Sequence, residues 1–461
     1  MNVEALAILL GERRRIGVLF RYGLAADTVV TRFVADEAFV QAVPQPTVSA
    51  AWLAESPLQQ QALWRDVRSV AFNGRHSSRN GWLLPAFFQN LLPEGVFRDR
   101  VAELRGCDPR DHFEMLAACG RDLPGNLYAL PVALSRDELA RYVTQHQDAL
   151  EMSVTADPLE DGVSLSGVQP KVGAIRDGDR YVARTKDHDT HIIAKLPVVA
   201  QPRLPEVEDL SLRLAAAAGV EVCEAWLEPL AKLSILHGYD LGDSDAQTRF
   251  LAVRRFDRSP AGRIHNEDFA QVLGAMPEDK YGGAAGDAAR SYVDVAAVLM
   301  GFDSLGEAAV HELLRRLVVN EMLGNPDMHL KNMGLVYPDG VAPRLAPAYD
   351  VVAYAAYSRH QGHALALLPA ALAPPGGRLR QQQLSPAVVR AFCAALRIPE
   401  KPAATVIREA VRAAVGQWRG LIEASALTTL QKSRLLAHFD AHPMVQSIAR
   451  RVAATGGMGN G

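Results

Sequence analysis

The segment from Asn320 to Asp350 constrains this chain more than any other stretch of the sequence. It predicts the end of a helix, a tight polar loop, a short apolar strand and a turn. Asp327 and Asn332 are five positions apart on the loop, and Asp350 follows the strand and the turn. An Asp, an Asn five residues later and a further Asp can hold a magnesium-bound nucleotide beside an acceptor hydroxyl. The segment therefore predicts phosphoryl transfer, with Asp327 as proton acceptor and the other two side chains as Mg²⁺ ligands.

Composition excludes several other classes of protein. The chain has 461 residues, 49% hydrophobic and 22% charged, which is typical of a globular protein with roughly two to four domains. A formal net charge of −3 gives no general attraction to nucleic acid or to an anionic membrane. No signal peptide or membrane span is evident, so a cytoplasmic protein without a membrane partner is expected. The four cysteines are scattered without metal-ligand spacing: Cys107, Cys119, Cys223 and Cys393.

The secondary-structure patterns divide the chain into three parts. Residues 1–150 mix short strands with helical patterns and predict a small α/β domain. Residues 151–256 are rich in strand patterns and contain a helix that Pro205 opens and Gly219 closes. Residues 257–461 are mostly helical. The fold class predicted from these parts is α+β, with a β-rich lobe followed by a helical lobe.

Several local patterns make more specific predictions. Residues 163–175 predict two strands joined by a turn, and the strands at 231–236 and 249–256 predict a hairpin. Asn266 is expected to cap a helix over 266–275. The apolar stretch ending in FFQNLLPEG predicts a buried helix ended by Pro93 and Gly95, without a chemical role. Further helices are expected at 290–300, 307–323, 385–396, 402–424 and 428–453.

Three elements upstream of Asp327 can complete a nucleotide site. The turn over 164–171 lacks the repeated glycines of an ordinary phosphate loop and by itself is typical of a hairpin. Lys195 ends an apolar strand pattern, where lysine rarely lies without a partner, although an edge-strand lysine is the alternative. Glu206 or Glu208, on the helix that follows, is either an exposed residue or the partner of that lysine. Together these elements favour a cleft in which Lys195 holds phosphates and pairs with a helix acid.

Seven segments of the chain resemble the HipA family of serine/threonine kinase toxins: SLSGVQPK, HIIAKLP, FLAVRRFDR, RIHNEDFAQVLG, KYGG, GNPDMHLKN and AYDVV. FFQNLLPEG and GRDLPGNL resemble, more weakly, the N-terminal domain of that family. Because the motifs occur in the same order along nearly the whole chain, the resemblance is specific. It implies a two-lobed protein-kinase-like fold preceded by a small N-terminal α/β domain, with ATP between the lobes.

The resemblance also implies roles for individual residues. Asp327 matches the proton acceptor, and Asn332 and Asp350 match the metal ligands. Ser164 matches a serine that becomes autophosphorylated, with Ser166 as a neighbouring candidate, and a phosphate there should repel ATP. Many relatives carry an acid at the position of Arg254, which leaves only backbone contacts expected there. The residues matched to ATP binding are Ser166, Gly167, Val168, Gln169, Pro170, Lys171, Lys195, Glu208, Arg254, Arg255, Phe256, His329, Leu330, Lys331 and Tyr349.

The expected function is therefore that of an ATP- and Mg²⁺-dependent serine/threonine protein kinase. By family analogy it would be the toxin of a toxin–antitoxin pair, with a helix-turn-helix antitoxin of the HipB type as partner and contact with DNA only through that partner. Its target would be a translation-related protein such as an aminoacyl-tRNA synthetase. Two alternatives remain open: a small-molecule or lipid kinase, and a kinase-fold co-repressor that acts through a DNA-binding partner.

Overall fold

A five-stranded sheet, a six-stranded sheet and a helical lobe follow one another along the chain in the computed structural model. This is the α+β, two-lobed architecture that the sequence predicts, with a further domain in front of it. The residues that the structure describes are 2–25, 28–77, 80–142, 151–153, 155–160, 162–165, 167, 169–185, 188–283, 289–358, 362–373 and 378–456.

The N-terminal domain packs helices against one sheet. Its elements are β1 (Asn2–Leu10), β2 (Arg14–Ala25), β3 (Thr28–Ala35), α1 (Glu37–Val40), α2 (Pro57–Arg65), β4 (His76–Ser77), β5 (Gly81–Trp82), α3 (Ala86–Gln89), α4 (Gly95–Arg105), α5 (His112–Cys119), β6 (Leu127–Pro131), α6 (Arg136–Tyr142) and β7 (Glu151–Ser153). The strand order is β3-β2-β1-β6 with antiparallel neighbours, and β7 runs parallel to the start of β1. Buried aromatic rings, among them Phe33, Trp52 and Phe88, fill the core beneath the sheet.

The β-rich lobe contains a single long helix. Its elements are β8 (Lys171–Asp177), β9 (Arg180–Val182), β10 (Ile192–Lys195), α7 (Leu204–Ala217), β11 (Ala225–Pro229), β12 (Leu233–Ser234) and β13 (Arg249–Arg254). The strand order is β11-β13-β10-β8-β9-β12, so β10 lies inside the sheet. Alternate residues of β10 and β13 face opposite sides, and Leu251 and Val253 pack with α7 in the main core.

The C-terminal lobe is built around α10, whose buried side chains form the centre of the largest core. Its elements are β14 (Arg258–Ser259), β15 (Gly262–Arg263), β16 (His265–Asp268), α8 (Phe269–Val272), α9 (Tyr292–Met300), α10 (Gly306–Leu323), β17 (Gly334–Tyr337), β18 (Arg344–Leu345), α11 (Pro386–Leu396), α12 (Glu400–Ala424), α13 (Thr429–Ala441) and α14 (Pro443–Gly456). Gly324 ends α10 in the left-handed conformation, with a φ of 62°. A Cβ there would lie 2.9 Å from that of Ala355, so glycine fits both the backbone and the packing.

Two strand predictions are wrong. The described residues of 163–175 contribute one strand rather than two, because pairing begins at Lys171, after Pro170, which has no backbone N–H to donate. The expected hairpin between 231–236 and 249–256 is absent from the described strands. Instead β12 pairs in parallel with β9, since β13 is already flanked by β10 and β11.

Three helix predictions also need correction. Asn266 lies in β16, and Asp268 caps α8 through a reciprocal capping box with Gln271. Residues 428–453 form two helices that separate at His442, because Pro443 removes a donor and starts a new helix. In FFQNLLPEG only the first turn is helical, and Gly95 begins α4 instead of ending a helix. The expected helix over 307–323 is confirmed by α10.

Within the described residues, no helix combines the length and apolar character that crossing a bilayer requires.

Candidate active site

Lys195 lies at the end of β10, where its ammonium joins two carboxylates. Strand alternation directs Ala194 into the core of the β-rich lobe and Lys195 to the opposite face, where α7 packs. The Nζ of Lys195 donates to Oε1 of Glu208 on α7 and, at 2.5 Å, to Oδ1 of Asp350. Because β10 pairs on both sides and Lys195 is only 6% exposed, the edge-strand alternative is wrong. Glu206 instead pairs with Arg203 at 3.6 Å, so Glu208 is the helix acid.

Burial and pairing set the charges of this cluster. Burial opposes the Lys195 ammonium, but the charges of Asp350 and Glu208 outweigh it and raise its pKa. For Asp350 burial is likewise outweighed, by Lys195 and Lys171, and its pKa is lowered. Burial dominates at Glu208, whose pKa is raised and whose Oε2 lacks a hydrogen-bond partner among the described residues. Asp350 has a φ of 57°, in the left-handed region, where Asp is among the residues most often tolerated.

The Asp327 loop (residues 325–332) follows the left-handed end of α10. Asn332 donates from Nδ2 to the backbone oxygen of Asp327 at 2.9 Å, which ties the Asn332 side chain to the backbone of Asp327 and leaves the amide oxygen of Asn332 as an acceptor. The carboxylate of Asp327 accepts a hydrogen bond from the hydroxyl of Tyr281 at 2.7 Å. Burial raises the pKa of Asp327, and the negative charge of Asp350 acts in the same direction. The loop thus presents a carboxylate that a hydroxyl group can reach.

Two other predicted residues, His329 and Leu330, belong to this loop, and Tyr349 contacts it. His329 is buried, and burial together with Lys280 lowers its pKa to about 4, so the imidazole is neutral near pH 7. Tyr349 donates its hydroxyl to the backbone oxygen of Lys331 at 2.9 Å and packs against Phe256, with ring centroids 5.5 Å apart. Leu330 is fully buried in the main core.

The turn over 164–171, which the resemblance matches to ATP binding, is described only in part, because Ser166 and Val168 lie outside the described residues. Gly167 has a φ of 94°, which favours glycine, and a Cβ there would lie 2.6 Å from Nζ of Lys171 and would displace that ammonium. Burial lowers the pKa of Lys171 to about 8, although Asp350 opposes the shift. Gln169 has a buried Nε2 without a hydrogen-bond partner in the described structure, and Pro170 accepts a bond from Leu196.

Ser164 is 2% exposed, and its hydroxyl donates to the backbone oxygen of Leu91 in the N-terminal domain. Its own N–H donates to the backbone oxygen of Asp122 at 3.0 Å. The predicted autophosphorylation site therefore lies against the N-terminal domain.

The side chains of the two arginines matched to ATP binding have other partners. Arg254 is exposed and pairs with Glu224 at 2.7 Å. Arg255 is buried, and its guanidinium binds Asp257 and, at 2.8 Å, Asp122 of the N-terminal domain. A nucleotide in the cleft would thus meet the backbone of these two residues and the ring of Phe256.

Lys331 points toward the N-terminal domain. Its Nζ donates to the backbone oxygen of Asn90 at 2.9 Å, to Oδ1 of Asn90 at 3.2 Å and to Oδ2 of Asp268 at 3.0 Å. Glu94 lies 3.6 Å from the same ammonium and 3.1 Å from that of Lys280. Residues 87–94, here called the inter-domain segment, therefore reach the Asp327 loop.

A cavity between the lobes is lined by ten of the nineteen predicted site residues, and Asp327 is not among them. It is lined by Asn90, Pro124, Ser164, Leu165, Lys171, Ile193, Lys195, Val253, Arg254, Arg255, Phe256, Asp257, Asn266, Glu267, Asp268, Gln271, Lys331, Asn332, Gly334, Ala346, Tyr349 and Asp350. Apolar and aromatic lining residues together with Lys171, Lys195 and Lys331 fit a nucleotide. Outside this lining, the unpartnered Nε2 of Gln169 fits a phosphate acceptor. Asp350 and Asn332 supply hard oxygen donors, which fit Mg²⁺ that keeps waters and phosphate ligands. No group of three or more His, Cys, Asp or Glu in the described part of the chain is arranged to hold a metal by itself.

Comparison with known protein families identifies both halves of the molecule. Residues 163–418 match the HipA-like C-terminal domain, and residues 6–130 match the HipA N-terminal domain. The first match alone spans more than half of the chain. This chain belongs to the HipA family. The resemblance predicted from separate motifs is thereby confirmed.

Two relatives of this HipA-family chain come from Sinorhizobium fredii (strain NBRC 101917 / NGR234). "Putative kinase Y4dM" is 37% identical over 278 residues, which are 60% of this chain and 63% of the relative. "Putative kinase Y4mE" is 32% identical over 291 residues, which are 59% of this chain and 64% of the relative. The match therefore spans less than two thirds of either relative.

The fold of the HipA-family chain is also seen in a solved structure. A chain of the Shewanella oneidensis MR-1 toxin–antitoxin complex of HipA, HipB and its operator DNA aligns with a TM-score of 0.64 at 20% identity. The alignment covers 96% of this chain and 99% of the other. The two-lobed kinase-like fold with its N-terminal domain is thus confirmed.

Sequence reasoning missed three residues of the site: Asn90, Glu94 and Tyr281. Asn90 and Glu94 lie in a stretch that predicts only a buried helix. The available signal was chemical, because an amide and a carboxylate inside an otherwise apolar run require polar partners when buried. Tyr281 lies in the KYGG motif, which resembles the family but by itself indicates no chemical role.

Proposed function

We propose that this chain is a HipA-type serine/threonine protein kinase that uses ATP and Mg²⁺. The observation that carries the proposal is the Lys195 ammonium held between Glu208 and Asp350, next to the linked pair Asp327 and Asn332. A lysine–helix acid pair, a metal-binding Asp and an Asp–Asn loop are the parts that phosphoryl transfer requires in protein kinases.

Each side chain then has a specific task. Lys195 and Lys171 bind the phosphates, and the backbone at Arg254–Phe256 with the Phe256 and Tyr349 rings holds the base. Asn332 and Asp350 are the ligands for Mg²⁺, which supplies neutralising charge to the phosphates when bound. Asp327 takes the proton of the acceptor hydroxyl as its oxygen attacks the γ-phosphorus and the bond to ADP breaks.

The contact between Tyr281 and Asp327 supports a hydroxyl acceptor. A phenolic O–H already donates to Oδ1 of Asp327 at 2.7 Å, the distance that proton transfer to a general base requires. A serine or threonine hydroxyl in the same place would be oriented in the same way, once Tyr281 has moved aside.

We retain Ser164 as the proposed autophosphorylation site. Because its hydroxyl is buried against Leu91, modification requires the chain around it to leave the N-terminal domain. A phosphate carries a charge of about −1.5 to −2 and could not return to that buried contact. Phosphopeptide mass spectrometry after incubation with ATP tests this, with Ser164→Ala as the control. An unmodified Ser164 would contradict it.

Partner and target are proposed by family analogy. The likeness to a HipA chain from a complex with HipB and operator DNA supports a helix-turn-helix antitoxin of the HipB type, through which DNA would be contacted. A translation-related protein such as an aminoacyl-tRNA synthetase is the proposed substrate.

The divisions at residues 150 and 256 remain our proposal for the domain limits.

The decisive experiment incubates the purified protein and cell lysate with γ-labelled ATP. We expect label on protein, with a loss of about 10²–10⁴-fold for Asp327→Asn, because the variant lacks the general base. Label only on small molecules would favour the small-molecule or lipid kinase. If no label transfers and Asp327→Asn still inhibits growth, the co-repressor alternative replaces the proposal.

A further inference from the structure

Asn90 is an N-terminal-domain residue whose polar atoms are all engaged at the boundary with the C-terminal lobe. It is 3% exposed. Its Nδ2 donates to the backbone oxygens of Ala86 at 2.9 Å and Ala275 at 2.8 Å, the latter just beyond α8. Its Oδ1 and its backbone oxygen both accept from Lys331. An amide this fully satisfied holds its position firmly, since releasing any contact leaves a buried polar group unpaired.

Lys331 is saturated by these contacts. An ammonium has three N–H donors, and Lys331 directs them at the two oxygens of Asn90 and at Asp268. A phosphate oxygen could bind Lys331 only by displacing one of these acceptors. The arrangement therefore suits a lysine that anchors the loop better than one that binds nucleotide.

The anchor acts next to the metal ligand. Lys331 directly precedes Asn332, and both lie in one 3-10 turn. Tyr349 fixes the backbone oxygen of Lys331, while Asn90 and Asp268 fix its side chain. The neighbouring amide of Asn332 is thus oriented from both ends of Lys331, with its Nδ2 committed to Asp327.

We propose that the N-terminal domain is part of the catalytic centre, because Asn90 clamps Lys331 and so positions the metal-binding amide of Asn332. The inference rests on the proposed function. Asn90 is a positioning residue, since it acts through Lys331. The clamp makes the N-terminal domain a condition for metal binding at the site.

The other contacts of the inter-domain segment agree with this role. Gln271, which completes the capping box of α8, donates to the backbone oxygen of Phe87 at 3.2 Å. Asp268, the cap residue of the same helix, is the carboxylate bound to Lys331. Glu94 lies within ion-pair distance of both Lys280 and Lys331. The segment, the start of α8 and the Asp327 loop thus form one connected unit.

The test replaces Asn90 and measures metal binding and loop opening in the full-length protein. The control is Asn80→Ala, which removes another hydrogen bond between the two domains, to Glu278, away from Lys331. We expect Asn90→Ala to weaken Mn²⁺ binding about tenfold, measured by electron paramagnetic resonance with a non-hydrolysable ATP analogue, because a charge-assisted contact is lost. Affinity for the analogue without metal should stay within about twofold. Hydrogen exchange at residues 327–334, measured without nucleotide, should become faster.

Two further variants keep the proposal testable if Asn90→Ala folds poorly. Asn90→Asp keeps an oxygen for Lys331 and should retain most of the Mn²⁺ affinity, whereas Lys331→Met should reproduce the Asn90→Ala effect. Combining Lys331→Met with Asn90→Ala should add little. Unchanged Mn²⁺ affinity and loop exchange in Asn90→Ala would overturn the clamp. So would a loss of metal-free nucleotide affinity of about tenfold or more in Lys331→Met, because Lys331 would then bind phosphate.

The failures of the two proposals can be told apart. If the wild-type protein binds neither nucleotide nor Mn²⁺, the proposed function fails, and unchanged loop exchange in Asn90→Ala would still refute the clamp. If the wild-type protein binds both and Asn90→Ala binds both equally well, the clamp fails and the kinase proposal stands.

Discussion

Lys195 and Lys331 are two buried lysines, 6% and 3% exposed, with different surroundings. Lys195 contacts two carboxylates that belong to the proposed nucleotide site, Glu208 and Asp350. Lys331 donates to the carboxylate of Asp268 and to two oxygens of Asn90, and the Glu94 carboxylate lies 3.6 Å from its ammonium. Both lysines line the cavity between the lobes, but the ammonium of Lys331 is directed at Asn90 of the N-terminal domain.

The difference shows that the partners of a buried lysine, more than its burial, decide its role. Lys195 uses two of its three donors on described residues, so a third can serve a phosphate. Lys331 uses all three on the protein. The pKa is raised in both cases, because neighbouring acids outweigh burial, so both remain charged near neutral pH.

The largest contrast is expected in phosphoryl transfer. Lys195→Met should lower kcat/KM by about 10²-fold or more, because a charge that stabilises the phosphates in the transition state is removed. Lys331→Met should lower it only about tenfold, through the displaced loop. Steady-state rates with labelled ATP measure both. Equal losses of kcat/KM in the two variants would contradict the distinction between the lysines and would indicate that Lys331 binds phosphate.

Lys331→Met should lose more stability than Lys195→Met, which is the reverse of the order expected for activity. Lys331→Met removes the ion-pair partner of Asp268, whose side chain is 13% exposed, and a link between domains, so the free energy of unfolding should fall by about 3 kcal/mol. Lys195→Met should cost less, since the side chain of Asp350 is 24% exposed and neither Glu208 nor Asp350 lies in the N-terminal domain. Urea denaturation monitored by circular dichroism checks both variants. A larger loss for Lys195→Met would contradict the assignment of Lys331 as the structural lysine.

Lys171 provides a pH-dependent test, because its pKa is lowered to about 8 while those of the other two lysines are raised. Nucleotide affinity should fall as pH rises above about 8, by up to about tenfold per unit, as the ammonium is lost. The free energy of unfolding should change in the opposite sense to the affinity. Between about pH 8 and 10.5 the unfolded chain binds more protons than the folded chain, so the contribution of Lys171 raises the free energy of unfolding as pH rises.

Titration calorimetry with a non-hydrolysable ATP analogue from pH 7 to pH 9.5 measures the affinity. Lys171→Arg, which stays charged, should remove the pH dependence. A pH dependence that survives in Lys171→Arg would assign it to another group.

The smallest expected effect is that of Glu94→Gln. Its carboxylate is partly buried and lies 3.1 Å from Lys280 and 3.6 Å from Lys331, so its loss should lower the free energy of unfolding by about 1 kcal/mol. The rate of phosphoryl transfer should change only a few-fold. If Glu94→Gln lost as much Mn²⁺ affinity as is expected for Asn90→Ala, the main anchor of Lys331 would be Glu94 instead of Asn90.

The sequence was sufficient wherever the site depends on local spacing. Asp327 and Asn332 lie on one loop, and strand alternation at Lys195 and the turn before Asp350 follow from neighbouring residues, so their types and separations predict the geometry. The choice between Glu206 and Glu208 could not be made this way, because both lie on the first turns of α7 and only packing shows which one faces Lys195.

The remaining features of the site and the fold depend on contacts between residues that are far apart in the sequence. Asn90 and Lys331 are 241 positions apart, and no periodicity relates them. Arg255 was assigned to the nucleotide from its place in the motif, yet its guanidinium binds Asp122, a residue of another domain. The helix ends at Asn266 and His442 were misjudged because strand pairing at β16 and the break before Pro443 overrode a plausible cap and a continuous helical pattern.

The left-handed backbone at Asp350, with a φ of 57°, restricts which substitutions there can be interpreted. Alanine would remove the carboxylate and also add about 1–2 kcal/mol of backbone strain, so an alanine variant would mix two causes of failure. Asparagine tolerates that conformation and keeps the size of the side chain, and glycine relieves the strain altogether. Comparing Asp350→Asn with Asp350→Gly therefore separates the loss of the negative charge from a change in the backbone conformation between the two lobes.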